Sequence, residues 1–256
     1  VSLYLLQQEI KHGPLRLIFT VDEETNMTGA LSLSADHVKD AKYVINCDSE
    51  SIHVICVASA GSCHMEFTRD LHRCAPKGDT ALTVRAHALA GGHSGEVINE
   101  GRGNAIKAVA DVLYRLSEGG VEYALADYKG GVAANAIPSD ASAVVVVAAK
   151  DVDRVKATVA AAEKDFNLVY GETDPNAVFE VTPAALPKSV LSAEDTTSIV
   201  DVINLLHCGV FAMDRRLPRL PALSASLGTI ETREDVLAFQ YFPRSSSDAR
   251  LQALVR

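Results

Sequence analysis

The chain has 256 residues, of which 48% are hydrophobic, enough to bury one large core or two ordinary ones. This composition excludes a disordered chain. With 33 acidic and 24 basic residues the formal net charge is −9, so no overall positive field attracts polyanions. We therefore expect neither nucleic acid nor an anionic membrane as a partner.

Cysteine usage and hydropathy predict a cytoplasmic protein. The five cysteines are odd in number and include no Cys-x-x-Cys pair, which is typical of a reducing compartment. The longest apolar run, residues 143–149, has the length of a strand and is far below the ~20 residues that span a bilayer. The chain opens at Val1 without a signal pattern, and we expect it to be a piece of a longer chain.

The first 78 residues alternate between helix and strand patterns. Apolar spacing predicts, in order, the end of a helix, a buried strand, a helix and a short strand at 1–10, 15–21, 29–38 and 43–47. The strand, helix, strand order favours a parallel sheet, whose right-handed crossover places both strand ends at the same edge. Turn residues near 78 predict a domain boundary there.

The remainder, residues 79–256, has a more regular pattern. It predicts a strand, a helix, two strands, a helix and a strand at 81–89, 103–116, 121–128, 141–149, 152–166 and 177–182. This β-α-β-β-α-β order is the ferredoxin-like arrangement, and a helix near 196–206, a hairpin within 222–242 and a last helix after 247 extend it. The predicted fold class is α/β, with part of a parallel-sheet domain at 1–78 and an α+β ferredoxin-like domain at 79–256.

Acidic residues follow both predicted strands of the first domain. Glu23 and Glu24 come directly after the first strand, where neighbouring side chains point to opposite sides, so that one could bind a cation and the other face a water. Asp48 follows the second strand. If both strands share a parallel sheet, Glu24 and Asp48 converge at its carboxyl edge and suit a divalent metal such as zinc. The alternative is that these acids only cap a helix and a turn.

Three polar residues of the second domain are further candidates. His93 is flanked by glycines, which let a loop approach a ligand closely, and it could donate to a developing oxyanion. Asn135, in a loop of small residues, could bind a substrate backbone, and Arg244 could bind a carboxylate through both arms of its guanidinium. Each also has a plain interpretation as a turn residue or a surface ion pair.

Four short motifs, taken in this order, resemble the M20 family of metallopeptidases and, within it, the carnosinase-like aminoacyl-histidine dipeptidases. They are Phe-Thr-Val-Asp-Glu-Glu at 19–24, Asn-Cys-Asp-Ser-Glu at 46–50, Gly-Gly-His-Ser-Gly at 91–95 with Gly-Arg-Gly-Asn-Ala at 101–105, and Asn-Ala-Ile-Pro at 135–138. The resemblance covers nearly the whole chain. It makes residues 1–78 part of the metal-binding catalytic domain and residues 79–256 the lid and dimerisation domain.

The resemblance implies a hydrolase of Xaa-His dipeptides that uses two zinc ions. Glu23 matches the general base, Glu24 a ligand of one ion and Asp48 a ligand of the other, and the ions would polarise the scissile carbonyl and activate a bridging water. His93 matches a lid histidine that reaches into the partner subunit's site of a homodimer and stabilises the tetrahedral intermediate. Asn135 and Arg244 match residues that hold the substrate, and Arg244 would bind its free carboxylate.

The sequence also departs from the family. The family uses an early His-x-Asp pair and a late histidine as metal ligands, and none of the eight histidines here has an aspartate two residues later. Because two carboxylates fall short of the four ligands that zinc prefers, we expect the chain by itself to be inactive. Two other functions remain open: another M20 hydrolase, such as a tripeptidase or an N-acyl amino acid deacylase, and a non-catalytic dimerisation module.

Overall fold

The computed structural model describes residues 2–8, 10–23, 27–47, 53, 56 and 58–256, with the side chains of 2, 3 and 5 left out. The chain divides into two compact units, Val1–Ala58 and Ser59–Arg256. This division falls before residue 78, because strands within 59–78 pair with strands of the second unit. The assignment of 1–78 to a catalytic domain stays a prediction.

The first unit has little regular structure among its described residues. Its elements are helix α1 (Ser2–Gln7), helix α2 (Thr28–Leu31) and a 3₁₀ turn (Ala35–His37). No strand forms at 15–21 or at 43–47, so the described residues of this unit do not form the predicted parallel sheet. Apolar side chains in both segments are exposed, Phe19 by 73% and Ile45 by 80%. A strand needs a neighbour to pair its main-chain groups, and the described part of this unit supplies none.

The helix predicted at 29–38 is broken into α2 and the 3₁₀ turn. The hydroxyl of Ser34 accepts a hydrogen bond from the N–H of Asp36 at 3.2 Å and so starts a separate turn. Serine side chains compete with the helical hydrogen-bond pattern in this way, which is why they favour the starts of turns over helix interiors. An ion pair from Arg16 to Asp40 connects the segments before and after these turns.

The second unit contains the remaining helices and all the strands of the described chain. The strands are β1 (Gly61–Ser62), β2 (Met65–Asp70), β3 (Arg73–Cys74), β4 (Thr80–His87), β5 (Gly92–His93), β6 (Tyr123–Gly130), β7 (Ala136–Ile137), β8 (Ala141–Val147), β9 (Val178–Ala184), β10 (Val190–Leu191), β11 (Gly209–Met213), β12 (Pro221–Arg233) and β13 (Val236–Ser245). The helices are α3 (Ser94–Val97), α4 (Ala105–Glu118), α5 (Val152–Tyr170), α6 (Ala193–Leu205) and α7 (Asp248–Val255), with 3₁₀ turns at Ile98–Glu100 and Ala149–Asp151. None of the helices in the described residues is long and apolar enough to cross a membrane.

Four strands and two helices form the predicted ferredoxin-like core. The strands lie in the order β9-β4-β8-β6, and every neighbouring pair is antiparallel. Helix α4 connects β4 to β6, and α5 connects β8 to β9, which completes the β-α-β-β-α-β order. Each predicted strand and helix of this core overlaps the observed one, so this part of the predicted fold is confirmed.

The long hairpin of β12 and β13 extends the same sheet. Strand β12 pairs with the outer core strand β6 through Ile230 and Glu231. Strand β13 pairs with β12 on one side and with β1 and β2 on the other, and β11 pairs with β12. The result is one nine-stranded sheet. The hairpin therefore carries residues near its end, including Arg244, on the same rigid sheet as the core.

Helix α4 provides much of the core of the second unit. Its buried residues Ile106, Val109, Leu113 and Leu116 are all 0% exposed and recur at the spacing of one helix face. This face packs on apolar residues from one side of the sheet within a single cluster. The side chain of Asn104 caps the helix by accepting a hydrogen bond from the N–H of Lys107 at 3.2 Å. The start of α4 is thereby fixed directly after the Gly-Arg-Gly segment at 101–103.

Candidate substrate-binding site

His93 lies in a short ribbon that joins two loops of the second unit. Strand β5 pairs with β7, so that His93 lies opposite Ala136. Gly91 and Gly92 precede it with φ of 59° and 122°, a left-handed region that glycine adopts at little cost. The N–H of Ser94 then donates to the carbonyl of Asn135 at 2.8 Å. Two candidates from the sequence, His93 and Asn135, therefore lie on adjacent backbone segments.

Arg244 lies near the end of strand β13 and contacts His93. Its Nη2 lies 3.4 Å from Nε2 of His93, although the two residues are 151 positions apart in sequence. The guanidinium lies over the ring of Phe242, with Cζ 4.7 Å from the ring centroid. This stacking holds the guanidinium through a cation–π contact and limits its rotation. The fold therefore places the guanidinium of Arg244 beside the ring of His93.

Gly95 leaves the space in which His93 and Arg244 approach each other. A Cβ atom at this position would come within 3.0 Å of Cε1 of His93 and 3.1 Å of Cζ of Arg244. These separations are tighter than ordinary carbon contacts, so any side chain here would push the two groups apart. The glycine of the Gly-Gly-His-Ser-Gly motif that follows the histidine therefore has a steric role.

Several buried polar atoms of this region lack a hydrogen-bond partner. In the described part of the chain they include Nε of Arg244, Oγ of Ser94 and Oγ of Ser226. Ser226 lies opposite Phe242 across the hairpin, and Phe242 is two residues from Arg244, so Ser226 and Arg244 share one face of the sheet. Burial lowers the pKa of the Arg244 guanidinium below its usual value, while the group stays charged.

Unsatisfied donors on a partly desolvated cation favour binding of an anion. A buried polar group without a partner costs free energy, and a carboxylate that fills the position recovers it through charge-assisted hydrogen bonds. Arg244 presents guanidinium N–H donors next to the ring nitrogen of His93. The arrangement can bind the carboxylate of a small molecule at Arg244 and place a nearby polar group against His93.

The acidic candidates of the first unit are only partly described. Glu23 is exposed and lies in a turn that is closed by the N–H of Met27 to the carbonyl of Asp22 at 2.7 Å. The hydroxyl of Thr28 also donates to the carboxylate of Asp22 at 2.8 Å. Glu24 and Asp48 lie outside the described residues, so their predicted convergence stays a prediction.

Sequence reasoning missed two residues that support this site. Phe242 lies under the guanidinium of Arg244, and Asp174 accepts hydrogen bonds from both ends of the loop that carries His93. An aromatic residue two positions before an arginine in a strand is a weak signal, because both side chains then share a face. No sequence pattern around Asp174 indicates its role, since the two backbone groups that it holds are distant along the chain.

Comparison with known proteins gives three findings. Residues 86–174 match the M20-type peptidase dimerisation domain. The cytosol non-specific dipeptidase of Escherichia coli (strain K12) is 29% identical over 248 residues, which cover 96% of this chain and 50% of that protein. The crystal structure of the aminoacylhistidine dipeptidase from Vibrio alginolyticus matches with a TM-score of 0.78 and 27% identity, over 99% of this chain and 52% of that one. The chain spans about half the length of these two relatives.

These matches and the ferredoxin-like sheet define the class that the chain resembles: residues 86–174 match the dimerisation domain of M20-type peptidases. Within that class, the similarity over nearly its whole length is to dipeptidases. The resemblance that the four sequence motifs indicated is confirmed.

Proposed function

We propose that this protein hydrolyses dipeptides, with a preference for the Xaa-His type, and that Arg244 binds the free carboxylate of the substrate. The observation that supports this most directly is the guanidinium of Arg244, which stacks on Phe242 and has its Nη2 3.4 Å from Nε2 of His93. A group that must bind a terminal carboxylate next to the scissile bond restricts the substrate to very short peptides. Both relatives are named as dipeptidases, and the Vibrio alginolyticus protein is named as an aminoacylhistidine dipeptidase.

His93 and Asn135 are the proposed partners of the rest of the substrate. A ring N–H of His93 would donate to the oxygen that becomes negatively charged when the peptide carbonyl is attacked. The side chain of Asn135 is exposed, and its backbone carbonyl is held by the N–H of Ser94. Its amide is therefore free to bind a substrate backbone while its main chain stays in place.

A metal site is part of the proposal. Two zinc ions, with Glu24 and Asp48 as one ligand of each and Glu23 as general base, follow from the family resemblance. The described residues contain no group of three His, Cys, Asp or Glu side chains that could hold an ion. The contribution that the described residues make is to bind and orient the substrate.

A homodimer in the cytosol is the proposed state of the protein. The match to a peptidase dimerisation domain supports pairing of two copies through the second unit. The action of His93 in the partner subunit's site follows from the family resemblance. All five cysteines are free thiols, which agrees with a reducing compartment, and the Escherichia coli relative is named as a cytosol enzyme.

Replacement of Arg244 by methionine in the full-length protein tests the proposal. We expect KM for a dipeptide to rise about 100-fold, because a charge-assisted pair of hydrogen bonds contributes about 2–3 kcal/mol. The same dipeptide with an amidated C-terminus should be cleaved equally slowly by both proteins. Arg233→Met is the matched control, since Arg233 is exposed and forms a surface ion pair with Glu231. An equal loss on both substrates would refute the assignment of Arg244.

Assays of dipeptides, tripeptides and N-acyl amino acids with the full-length protein separate the remaining alternatives. Highest kcat/KM on dipeptides supports the proposal, whereas highest kcat/KM on another group indicates a different M20 hydrolase. The dimerisation-domain match also favours a second candidate, a non-catalytic dimerisation module. Hydrolysis of none of these compounds by a dimeric, metal-supplied protein would support that module.

A further inference from the structure

One buried carboxylate joins both ends of the loop that carries His93. The N–H of Ala90 donates to Oδ1 of Asp174 at 2.7 Å, and the N–H of Gly103 donates to Oδ2 at 2.8 Å. The hydroxyl of Thr173 adds a third hydrogen bond to Oδ2 at 3.0 Å. Asp174 is 1% exposed. The two ends of residues 90–103 are therefore held at a fixed separation by a single side chain.

The chemistry of this contact requires a carboxylate. In the described part of the chain no lysine, arginine or histidine forms an ion pair with Asp174, so its partners are two backbone amides and one hydroxyl. Hydrogen bonds to an ionised acceptor are about twice as strong as neutral ones, and they offset the cost of burial. An asparagine has the same shape but would turn its NH₂ group towards one of the two amide donors. One backbone N–H would then be buried without an acceptor.

Specific contacts hold the loop between these ends. The guanidinium of Arg102 donates to the carbonyl of Gly91 and pairs with Glu100. A Cβ at Gly103 would come within 2.4 Å of the ring of Phe166, so the backbone lies directly on that ring. Because these contacts lie next to His93 and at the end of the loop, a shift at Ala90 or Gly103 is transmitted to His93. The contact between His93 and Arg244 depends on the position of His93.

We propose that Asp174 is a positioning residue that keeps His93 beside Arg244 by holding both ends of the loop. Its consequence for catalysis rests on the proposed function, because it acts through the proposed role of His93. A displacement of about 1 Å can lower a rate by about 100-fold, so even a small relaxation of the loop is measurable.

Replacement Asp174→Asn in the full-length protein tests this inference by two independent measurements. In hydrogen exchange we expect residues 88–104 to exchange about tenfold faster or more, with no change across 222–245. In dipeptide hydrolysis we expect kcat to fall about tenfold or more while KM changes less than about threefold. Asp153→Asn, an exposed acid on α5, is the control and should change neither.

A double-mutant cycle with His93→Ala separates positioning from a general loss of stability. If Asp174 acts through His93, adding Asp174→Asn to His93→Ala should lower kcat by less than about twofold. Independent, multiplying losses would overturn the inference, and so would unchanged exchange in residues 88–104. If Asp174→Asn does not fold, Arg102→Leu is the second variant, because it removes the hydrogen bond to Gly91 in the same loop. We then expect smaller changes of the same kind: faster exchange in residues 88–104 and a lower kcat.

The positioning role of Asp174 can be tested even if the proposed function is wrong. If the unmutated full-length protein cleaves no peptide, a crystal structure of Asp174→Asn decides the inference through the distance from His93 to Arg244. An increase of about 1 Å or more supports it, and an unchanged distance refutes it.

Discussion

Gly95 shows how a single missing side chain allows two functional groups to meet. The gap between His93 and Arg244 has no room for a Cβ atom at position 95. The backbone there is helical and has no left-handed φ, so the glycine is not needed for conformational reasons. The steric requirement of the His93–Arg244 contact is therefore separable from the stability of the fold.

Gly95→Ala should leave thermal stability unchanged or slightly raised while lowering activity. Alanine is favoured over glycine in a helix by about 0.5–1 kcal/mol, but its methyl group must displace the histidine or the guanidinium. Melting temperature and kcat/KM of the full-length protein are the measurements. Gly61→Ala is a matched control, because a Cβ there makes only ordinary contacts from 3.8 Å outward. Equal activity of Gly95→Ala and the unmutated protein would contradict the steric role.

At the scale of elements, Asp195 connects the start of α6 to strand β2 and to the residues directly after that strand. Its carboxylate, 1% exposed, accepts hydrogen bonds from Nε and Nη2 of Arg69 at 2.9 and 2.7 Å and from the N–H of His72 at 2.7 Å. Burial alone raises the pKa of the Asp195 carboxyl, but the hydrogen bonds from His72 and Arg69 outweigh it and lower that pKa to about 2. The ionised form is therefore stabilised by folding.

The contribution of Asp195 to stability should disappear in acid. Because its pKa is lowered on folding, the stabilisation is complete above the unfolded pKa near 3.8 and is lost as pH falls towards 2. The shift corresponds to about 2 kcal/mol at neutral pH. Urea unfolding should show Asp195→Asn destabilised by this amount at pH 7, with a smaller difference near pH 3. Asp201→Asn, an exposed acid on the same helix, is the control, and a pH-independent difference at position 195 would contradict this account.

The other end of α6 is held by a cation from α4. The ammonium of Lys107 donates to the carbonyls of Ile203, Asn204 and Leu206 at 2.6–2.7 Å. These carbonyls include those left unpaired at a helix end, where a positive charge is favourable. Burial lowers the pKa of the Lys107 ammonium. The start of α6 is thus held by the ion pair of its Asp195 with Arg69, and its end by Lys107.

At the scale of the whole molecule, a shared active site predicts complementation between two inactive variants. If Glu23 and His93 of one site come from different subunits, a heterodimer of Glu23→Gln with His93→Ala has one intact site and one doubly altered site. Mixed and re-equilibrated in equal amounts, the two variants should recover about a quarter of the unmutated activity, since about half of the dimers are mixed. Size-exclusion chromatography checks that both variants remain dimeric.

The matched control for this mixture is Glu23→Gln combined with Arg233→Met in one chain, mixed with His93→Ala. Arg233 pairs with Glu231 on the surface, so this mixture should recover the same activity. No recovery in either mixture, with both variants dimeric and exchanging, would show that Glu23 and His93 act within one subunit.

The core of the second unit was predictable because its patterns are local. Helices α4 and α5 repeat apolar residues at helical spacing, and β4, β8 and β9 are runs whose residues pair within the same sheet. The strands predicted at 15–21 and 43–47 have equally apolar patterns but are not formed. An apolar run specifies a buried strand only when neighbouring strands are present, and that condition is not encoded in the run itself.

The sequence by itself determined the ferredoxin-like order, the glycines around His93 and the candidate residues His93, Asn135 and Arg244, because periodicity and short motifs are properties of neighbouring residues. Only the tertiary structure decided that Arg244 stacks on Phe242 beside His93 and that Asp174 holds both ends of the His93 loop. These contacts join residues far apart in the chain. Their geometry depends on how strands and helices pack together, and no local pattern records that packing.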